Sequence, residues 1–316
     1  MMKPESVRIS DATEDTVAEI VAGFGFNCYR LVVKHGGQDV NVIWSAPGFE
    51  DGTERPSGSG IPILFPFPGR IQGTSFTWEG TDYSLPAGDG QGNAIHGFVH
   101  ERAWRVIQQE SDRVVGQFQA SVDDPSLLAQ WPADFRLTAD YQVQPDRLHC
   151  SYRVENPSDT PLPFGLGTHP YFSLPLGGKD AGRCQVRLPV SQRWELVEMI
   201  PTGHQQDLSS DEDYQVGKVF EGLILDDIFT GLTAAEERVV TSIEDPDSGL
   251  RVTQTFDATF PHCVVYTPPH REALCIEPYS MVSAAYQLEQ GPAACGLRVL
   301  PPGETIVFNV TIEMSR

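Results

Sequence analysis

Apolar and polar side chains alternate along much of this chain with a period of two, the spacing that sends successive side chains to opposite faces of an extended strand. Over 148–154, Leu148, Cys150, Tyr152 and Val154 share one face, and His149, Ser151 and Arg153 take the other. Val114, Gly116, Phe118 and Ala120 repeat the pattern, as do Ile306, Phe308, Val310 and Ile312 behind the turn signal Pro301-Pro302-Gly303. Further strands are expected over 28–33, 40–44, 137–143, 184–188, 239–243, 250–256 and 273–277. Turn-rich pieces separate them at 51–60, 87–93, 156–161 and 245–249. Only 11–22 and 126–131 read as helices, and the first fits a strand equally well. Strands joined by turns without intervening helices argue for antiparallel sheets packed face to face. The expected fold is all-β, a large antiparallel β-sandwich with few short helices. No linker, repeat or shift in composition divides the chain, so residues 1–316 are expected to form one domain.

Charge narrows the partners. Against 22 Lys+Arg stand 43 Asp+Glu, a formal net charge of −21. Such a surface repels phosphate backbones and anionic lipid unless a local basic cluster intervenes, and the cations here are scattered singly. Nucleic-acid and membrane-surface binding are therefore not expected. No apolar run approaches the roughly 20 residues that span a bilayer. Residues 1–19 are acidic and lack the basic and apolar regions of a secretory signal. The six cysteines, Cys28, Cys150, Cys184, Cys263, Cys275 and Cys295, are widely spaced without a C-x-x-C pair, which points to buried reduced thiols in a cytoplasmic protein. The ligand expected is a small molecule, uncharged or held by a few specific groups.

Five polar residues stand in apolar, Gly-rich or Pro-restricted surroundings. Arg70 follows the stiff stretch Ile61-Pro-Ile-Leu-Phe-Pro-Phe-Pro-Gly, which would hold its planar fork of donors in one place; a surface arginine snorkelling past the phenylalanines is the plainer alternative. His96 precedes Gly97, which permits a close backbone approach, though a satisfied core histidine has the same appearance. His100 lies four residues on, in a segment that reads as loop and strand, so the spacing does not put both imidazoles on one face and no metal site is expected. His169 and Glu277 each precede a proline, which pushes a residue into extended backbone. A carboxylate at the end of the apolar run 273–276 is costly unless it is paired or faces a cleft. In Asp226-Asp227, neighbouring strand carboxylates point to opposite faces, so one can face a site while the other is solvated. There is no G-x-S-x-G, no P-loop and no G-x-G-x-x-G followed by a helix. Imidazoles, a guanidinium and carboxylates on a β scaffold suit proton transfer on a polyhydroxylated, uncharged substrate, with Tyr171, Phe172 and Tyr279 available to stack on a sugar ring.

An ordered series of segments resembles the aldose 1-epimerases, the galactose-mutarotase-like family. It runs Phe65-Pro-Phe-Pro-Gly-Arg70-Ile71, Phe76-x-Trp78-x-Gly80-x-x-Tyr83-x-Leu85, Asn93-x-x-His96-Gly97-Phe98, Thr168-His169-Pro170-Tyr171-Phe172, Asp226-Asp227 and Ile276-Glu277-Pro278. The resemblance implies a sandwich with an open cleft and an isomerase that interconverts the α and β anomers of a hexose without metal or organic cofactor. Glu277 would be the base that takes the anomeric proton, and His169 the acid that protonates the ring oxygen. Arg70, His96 and Asp227 would hold the sugar. Acid and base are expected on opposite sides of one pyranose. An exposed Glu, with a pKa of about 4.3, is already a base at neutral pH, and nearby carboxylates would raise His169 from about 6.5. Two departures bear on the substrate: Gly69 stands where relatives commonly carry Asn, and Pro170 where Thr is frequent. A hexose 6-phosphate is the alternative substrate, with Lys179, Arg183 and Arg271 as candidate extra cations. A non-catalytic carbohydrate-binding protein and a glycosidase using Asp227 and Glu277 are rival readings from other classes.

Overall fold

The computed structural model of the chain describes residues 3–289 and 291–316, and strands joined by turns make up most of it. Thr305–Ser315 shows why the alternation matters. Phe308, Val310, Ile312 and Met314 are buried on one face, while Arg147–Glu155 and Leu250–Asp257 pair with its two edges. These three strands lie at the centre of a nine-stranded antiparallel sheet. From one edge it runs Arg105–Gln109, Arg113–Gln119, Arg136–Gln144, Arg147–Glu155, Thr305–Ser315, Leu250–Asp257, Arg238–Asp245, Gln185–Arg187 and Lys218–Val219.

A second, eight-stranded sheet carries the candidate site. Its path is Ile200–Asp207, Gln192–Val197, Asp226–Thr230, His262–Tyr266, Ala273–Tyr279, Gly167–Thr168 and Ile63–Leu64, with Tyr171–Ser173 also paired to Ala273–Tyr279. Leu274 and Ile276 face the large apolar core, which also takes in Leu148, Tyr152 and Phe308 from the nine-stranded sheet. The buried Gln254 amide of the nine-stranded sheet donates to the Ile276 carbonyl (3.0 Å), so the two sheets meet face to face. Cys275 and Glu277 alternate with those core residues and therefore project from the opposite face. The N-terminal strands Ser6–Ser10, Thr16–Val21, Asn27–His35 and Gln38–Asn41 form a third, four-stranded sheet. The whole is a large antiparallel β-sandwich.

Neither expected helix forms as such. Residues 11–22 enter a turn, where the Asp11 carboxylate accepts the Thr16 N–H (2.8 Å), and then run as the strand Thr16–Val21. Thr16, Ala18 and Ile20 are buried there in period two, so sheet pairing decides what propensity left open. Residues 126–131 tighten into a 3-10 turn, Pro125–Ala129, capped by Asp124. Among the described residues the only α-helix is the single turn Ala120–Asp123, and no helix is long and apolar enough to cross a membrane.

Candidate active site

A cavity of about 300 Å³ opens on the face of the eight-stranded sheet away from the core, and Arg70, His96, His169, Asp226 and Glu277 all line it. The two residues that precede prolines meet at its floor. His169 Nε2 stands 3.3 Å from Glu277 Oε1, although 108 positions separate them in the chain. Glu277 is carried by Ala273–Tyr279, whose neighbours on both sides bury it, leaving it 1% exposed. His169 follows the short strand Gly167–Thr168, its N–H donates to the Pro62 carbonyl (3.0 Å), and its ring stacks on Tyr171 at 4.7 Å, 3° from parallel.

The contact corrects the expected placement. A separation of 3.3 Å leaves no room for a pyranose between acid and base. Both groups therefore open to the cavity from the same side. Tyr279, expected to stack on a sugar, is 2% exposed, and its hydroxyl donates to Glu277 Oε2 (2.9 Å).

The electrostatics also run opposite to expectation, because burial outweighs neighbouring charge. Burial lifts the Glu277 carboxyl well above its ordinary value, opposed by the Tyr279 hydrogen bond and by the charge of Arg70. Burial pushes His169 down to about 3. Both shifts favour a neutral pair that holds one proton, resting on the carboxyl. Moving that proton across the contact gives carboxylate and imidazolium, the state in which Tyr279 and Arg70 help. His96, beside His169 with ring centroids 5.8 Å apart, is likewise held neutral by burial first and then by His169.

Arg70 is positioned by local sequence as expected, and by one residue the sequence did not flag. Arg70–Ile71 pairs with Ala94–Ile95, and the His96 N–H donates to the Gly69 carbonyl (2.8 Å), so arginine and histidine enter the cavity side by side. Arg70 Nε donates to Asp89 Oδ2 (3.2 Å). Burial acts to raise the Asp89 carboxyl, but hydrogen bonds from Asn93, Gln91 and Arg70 outweigh it and hold the pKa at about 2. Asp89 is thus a charged anchor that orients the guanidinium; its only sequence signal was its place in the turn 87–93. Gly69 has φ +66°, and a Cβ there would lie 2.2 Å from Ser283 Oγ, which accepts the Arg70 N–H (3.1 Å). A side chain at 69 would collide with the serine that holds Arg70. Gly97 is equally constrained: with φ +69°, its Cβ would lie 2.1 Å from the Phe65 carbonyl oxygen.

Of the two adjacent carboxylates, Asp226 and not Asp227 lines the cavity. Strand alternation puts Asp226 on the same face as Ile228, while Asp227 lies 3.8 Å from Arg193. The candidate phosphate cations lie elsewhere: Arg183 pairs with Asp247, Arg271 donates to the carbonyls of Leu223, Phe220 and Glu221, and Lys179 is not part of the cavity wall. His96 and His100 come closer than the loop-and-strand reading implied, with ring centroids at 6.1 Å, because the chain turns at Val99–Glu101. Donor atoms of His169, Cys275 and Glu277 lie within 4.8 Å of one another, so a metal ion there would occupy lone pairs of both His169 and Glu277.

A β-sandwich with a buried His–Glu contact at the floor of an open cavity defines the class of protein: an antiparallel sandwich whose site offers acid–base groups and no nucleophile motif. The sequence profile of the aldose 1-epimerase family matches residues 11–313, and the chain belongs to that family. It is similar to the solved galactose mutarotase-like protein from Clostridium acetobutylicum (20% identity, TM-score 0.85, 99% of each chain covered). It also resembles an aldose epimerase homologue from C. elegans (19%, TM-score 0.81, 99% of each chain). The galactose 1-epimerase from Lactobacillus acidophilus has the same fold (16%, TM-score 0.74, 100% of this chain and 99% of that one). Among curated proteins of Escherichia coli K12, the uncharacterized YihR is 24% identical over 233 residues, 71% of this chain and 70% of that protein. The uncharacterized YphB is 28% identical over 114 residues, 35% of this chain and 36% of that protein.

Proposed function

We propose that this chain is an aldose 1-epimerase that interconverts the α and β anomers of an aldohexose by acid–base ring opening, with residues 1–316 working as one domain in the cytoplasm. The observation that carries the reading is the 3.3 Å contact between His169 and Glu277 at the floor of an open cavity. In the working state the proton of the pair is on His169. Glu277 removes the proton from the hydroxyl on C1 while His169 protonates the ring oxygen. The C1–ring-oxygen bond breaks, leaving an aldehyde at C1 and a hydroxyl at C5. Rotation about C1–C2 presents the other aldehyde face. The C5 hydroxyl then adds to it, returning its proton to His169, while the new anomeric oxygen takes back the proton held by Glu277. Each cycle restores both residues, and their contact lets the proton return directly even without sugar.

Arg70, His96 and Asp226 act as hydroxyl- and ring-oxygen-binding groups, with Asp226 in the part first given to Asp227 because it is the carboxylate on the cavity wall. The core shared by the two large sheets supports the one-domain reading, and six free cysteines fit a reducing compartment. The test is anomer exchange in an equilibrated aldose, followed by saturation-transfer NMR over a panel of sugars. Glu277→Gln and His169→Asn should each cut exchange by about 10²–10⁴-fold, the range for one positioned proton transfer, with unchanged circular dichroism. Full activity in either folded variant overturns the assignment. Sugar binding with no acceleration for any aldose would favour the carbohydrate-binding alternative.

A further inference from the structure

The reaction leaves one wall of the cavity unexplained. Arg55 lines it, and among the described residues its guanidinium makes no ion pair and no hydrogen bond. Twelve of the arginines, Arg70 among them, pair with a carboxylate, and of those that do not, Arg55 is the one that lines this cavity. The segment that carries Arg55 is tied to the reacting pair. The Arg55 carbonyl accepts the Gly58 N–H (2.9 Å), the Tyr171 hydroxyl donates to the Ser57 carbonyl (3.0 Å), and Tyr171 is the ring stacked on His169. The Ser59 hydroxyl oxygen accepts the Ala46 N–H (3.0 Å), which closes the loop against the same wall.

His270 also lines the cavity, stacked on Trp44 with centroids 4.1 Å apart. Its Nδ1 accepts the Glu272 N–H (3.0 Å), so the neutral ring carries its proton on Nε2 and has that donor to offer. The Glu272 carboxylate is engaged by the Trp44 indole (3.0 Å) and is not part of the cavity wall. Acidic groups of the cavity lie on other elements: Glu277 at the floor and Asp226 on the strand Asp226–Thr230. Arg70 is neutralised by Asp89, whereas Arg55 keeps its charge. The cavity therefore holds a guanidinium without a carboxylate partner and a neutral imidazole donor besides the carboxyl groups of Glu277 and Asp226.

We infer that Arg55, with His270 as a further donor on the cavity wall, binds an anionic group on a carbon of the aldose other than C1, so that the preferred substrate is an acidic sugar, either a phosphate ester or a carboxylate, and not a neutral hexose. The inference rests on the epimerase reading of the same cavity. A net charge of −21 does not prevent it, because distant charges are screened beyond about 8 Å at physiological ionic strength and the anion meets the local guanidinium. Phosphate esters and carboxylates share the recognition chemistry, a charge-assisted fork of N–H donors.

The experiment compares kcat/KM for glucose, glucose 6-phosphate and glucuronate in the intact protein, in Arg55→Gln and in Arg55→Lys. Binding of each sugar to Glu277→Gln, with and without Arg55→Gln, is measured by calorimetry. An acidic sugar should be preferred over glucose, and the preference should fall by about 10- to 100-fold in Arg55→Gln, the worth of a hydrogen bond to a charged group. Arg55→Lys should restore part of it. Whichever acidic sugar loses more identifies the group. Equal kcat/KM for acidic and neutral sugars in the intact protein overturns the inference, as does an equal loss for both in Arg55→Gln. If no sugar is turned over but glucose 6-phosphate or glucuronate binds in an Arg55-dependent way, the epimerase reading fails and the anion subsite stands.

Discussion

Replacing Tyr279 with Phe removes a single oxygen, the one that donates to Glu277 Oε2 over 2.9 Å, and keeps the ring that fills the sheet face. The hydroxyl stabilises the ionised carboxylate against the burial that favours its protonated form. A hydrogen bond to a charged partner contributes about 1.5–3 kcal/mol, and one pKa unit corresponds to about 1.36 kcal/mol. Removing the bond should therefore raise the apparent pKa of the pair by about 1–2 units. The sign follows from what the bond stabilises: without it the pair's single proton stays more firmly on Glu277, so the working state with that proton on His169 is less populated. The pair also loses the proton at a higher pH, moving the alkaline limb of kcat/KM up. While the pair holds its one proton, Tyr279→Phe should be about 10- to 100-fold slower than the parent, and at alkaline pH, where both proteins have lost that proton, the two rates should converge. Anomer exchange measured by NMR from pH 5 to 9 gives both profiles. An unmoved alkaline limb, or a fall that persists undiminished at alkaline pH, would refute the view that Tyr279 acts by tuning Glu277.

Two further substitutions test other parts of the structure. Gly69→Ala forces a Cβ against Ser283 Oγ at a positive φ, so it should destabilise the protein by about 1–3 kcal/mol and raise KM by displacing Arg70; an unchanged urea midpoint and KM would show that this turn accommodates a side chain. His262 is 4% exposed, neither ring nitrogen has a partner among the described residues, and burial lowers its pKa to about 4. The folded value lies below the unfolded one of about 6.5, so its neutral form costs nothing above pH 6.5, and stability is lost as pH falls toward 4, by about 2 kcal/mol at pH 5. His262→Leu should lack that share of the acid sensitivity when urea unfolding at pH 7.5 and pH 5 is compared. Parallel pH dependences in parent and variant would count against it.

The strands were legible because burial of one sheet face imposes a period of two, and the expected strand over 250–256 matches Leu250–Asp257 to within a residue. The stretch 11–22 was ambiguous because propensity is weak next to the pairing of Thr16–Val21 with Asn27–His35. His169 and Glu277 could be singled out because the proline after each fixes extended backbone, and a carboxylate ending an apolar run needs a reason to be there. Asp89 and Arg55 gave no comparable signal. Each sits in a polar turn, where charged residues are ordinary, and matters only because the chain folds that turn against the cavity.

What the sequence alone determined was the sheet-rich architecture, the family, and the short set of residues able to move protons or hold hydroxyls. The architecture and the residue set are local properties, readable from side-chain period, proline restriction and residue chemistry, whereas the family came from the resemblance of an ordered series of segments. Which of Asp226 and Asp227 faces the cavity was not readable, since alternation says that they diverge but not which face is covered. Nor could the sequence say that His169 and Glu277 touch, or that burial drives Glu277 up and His169 down, against what their charges alone would do. Desolvation depends on every element packed around a group, so it exists only once the eight-stranded sheet has closed over the pair.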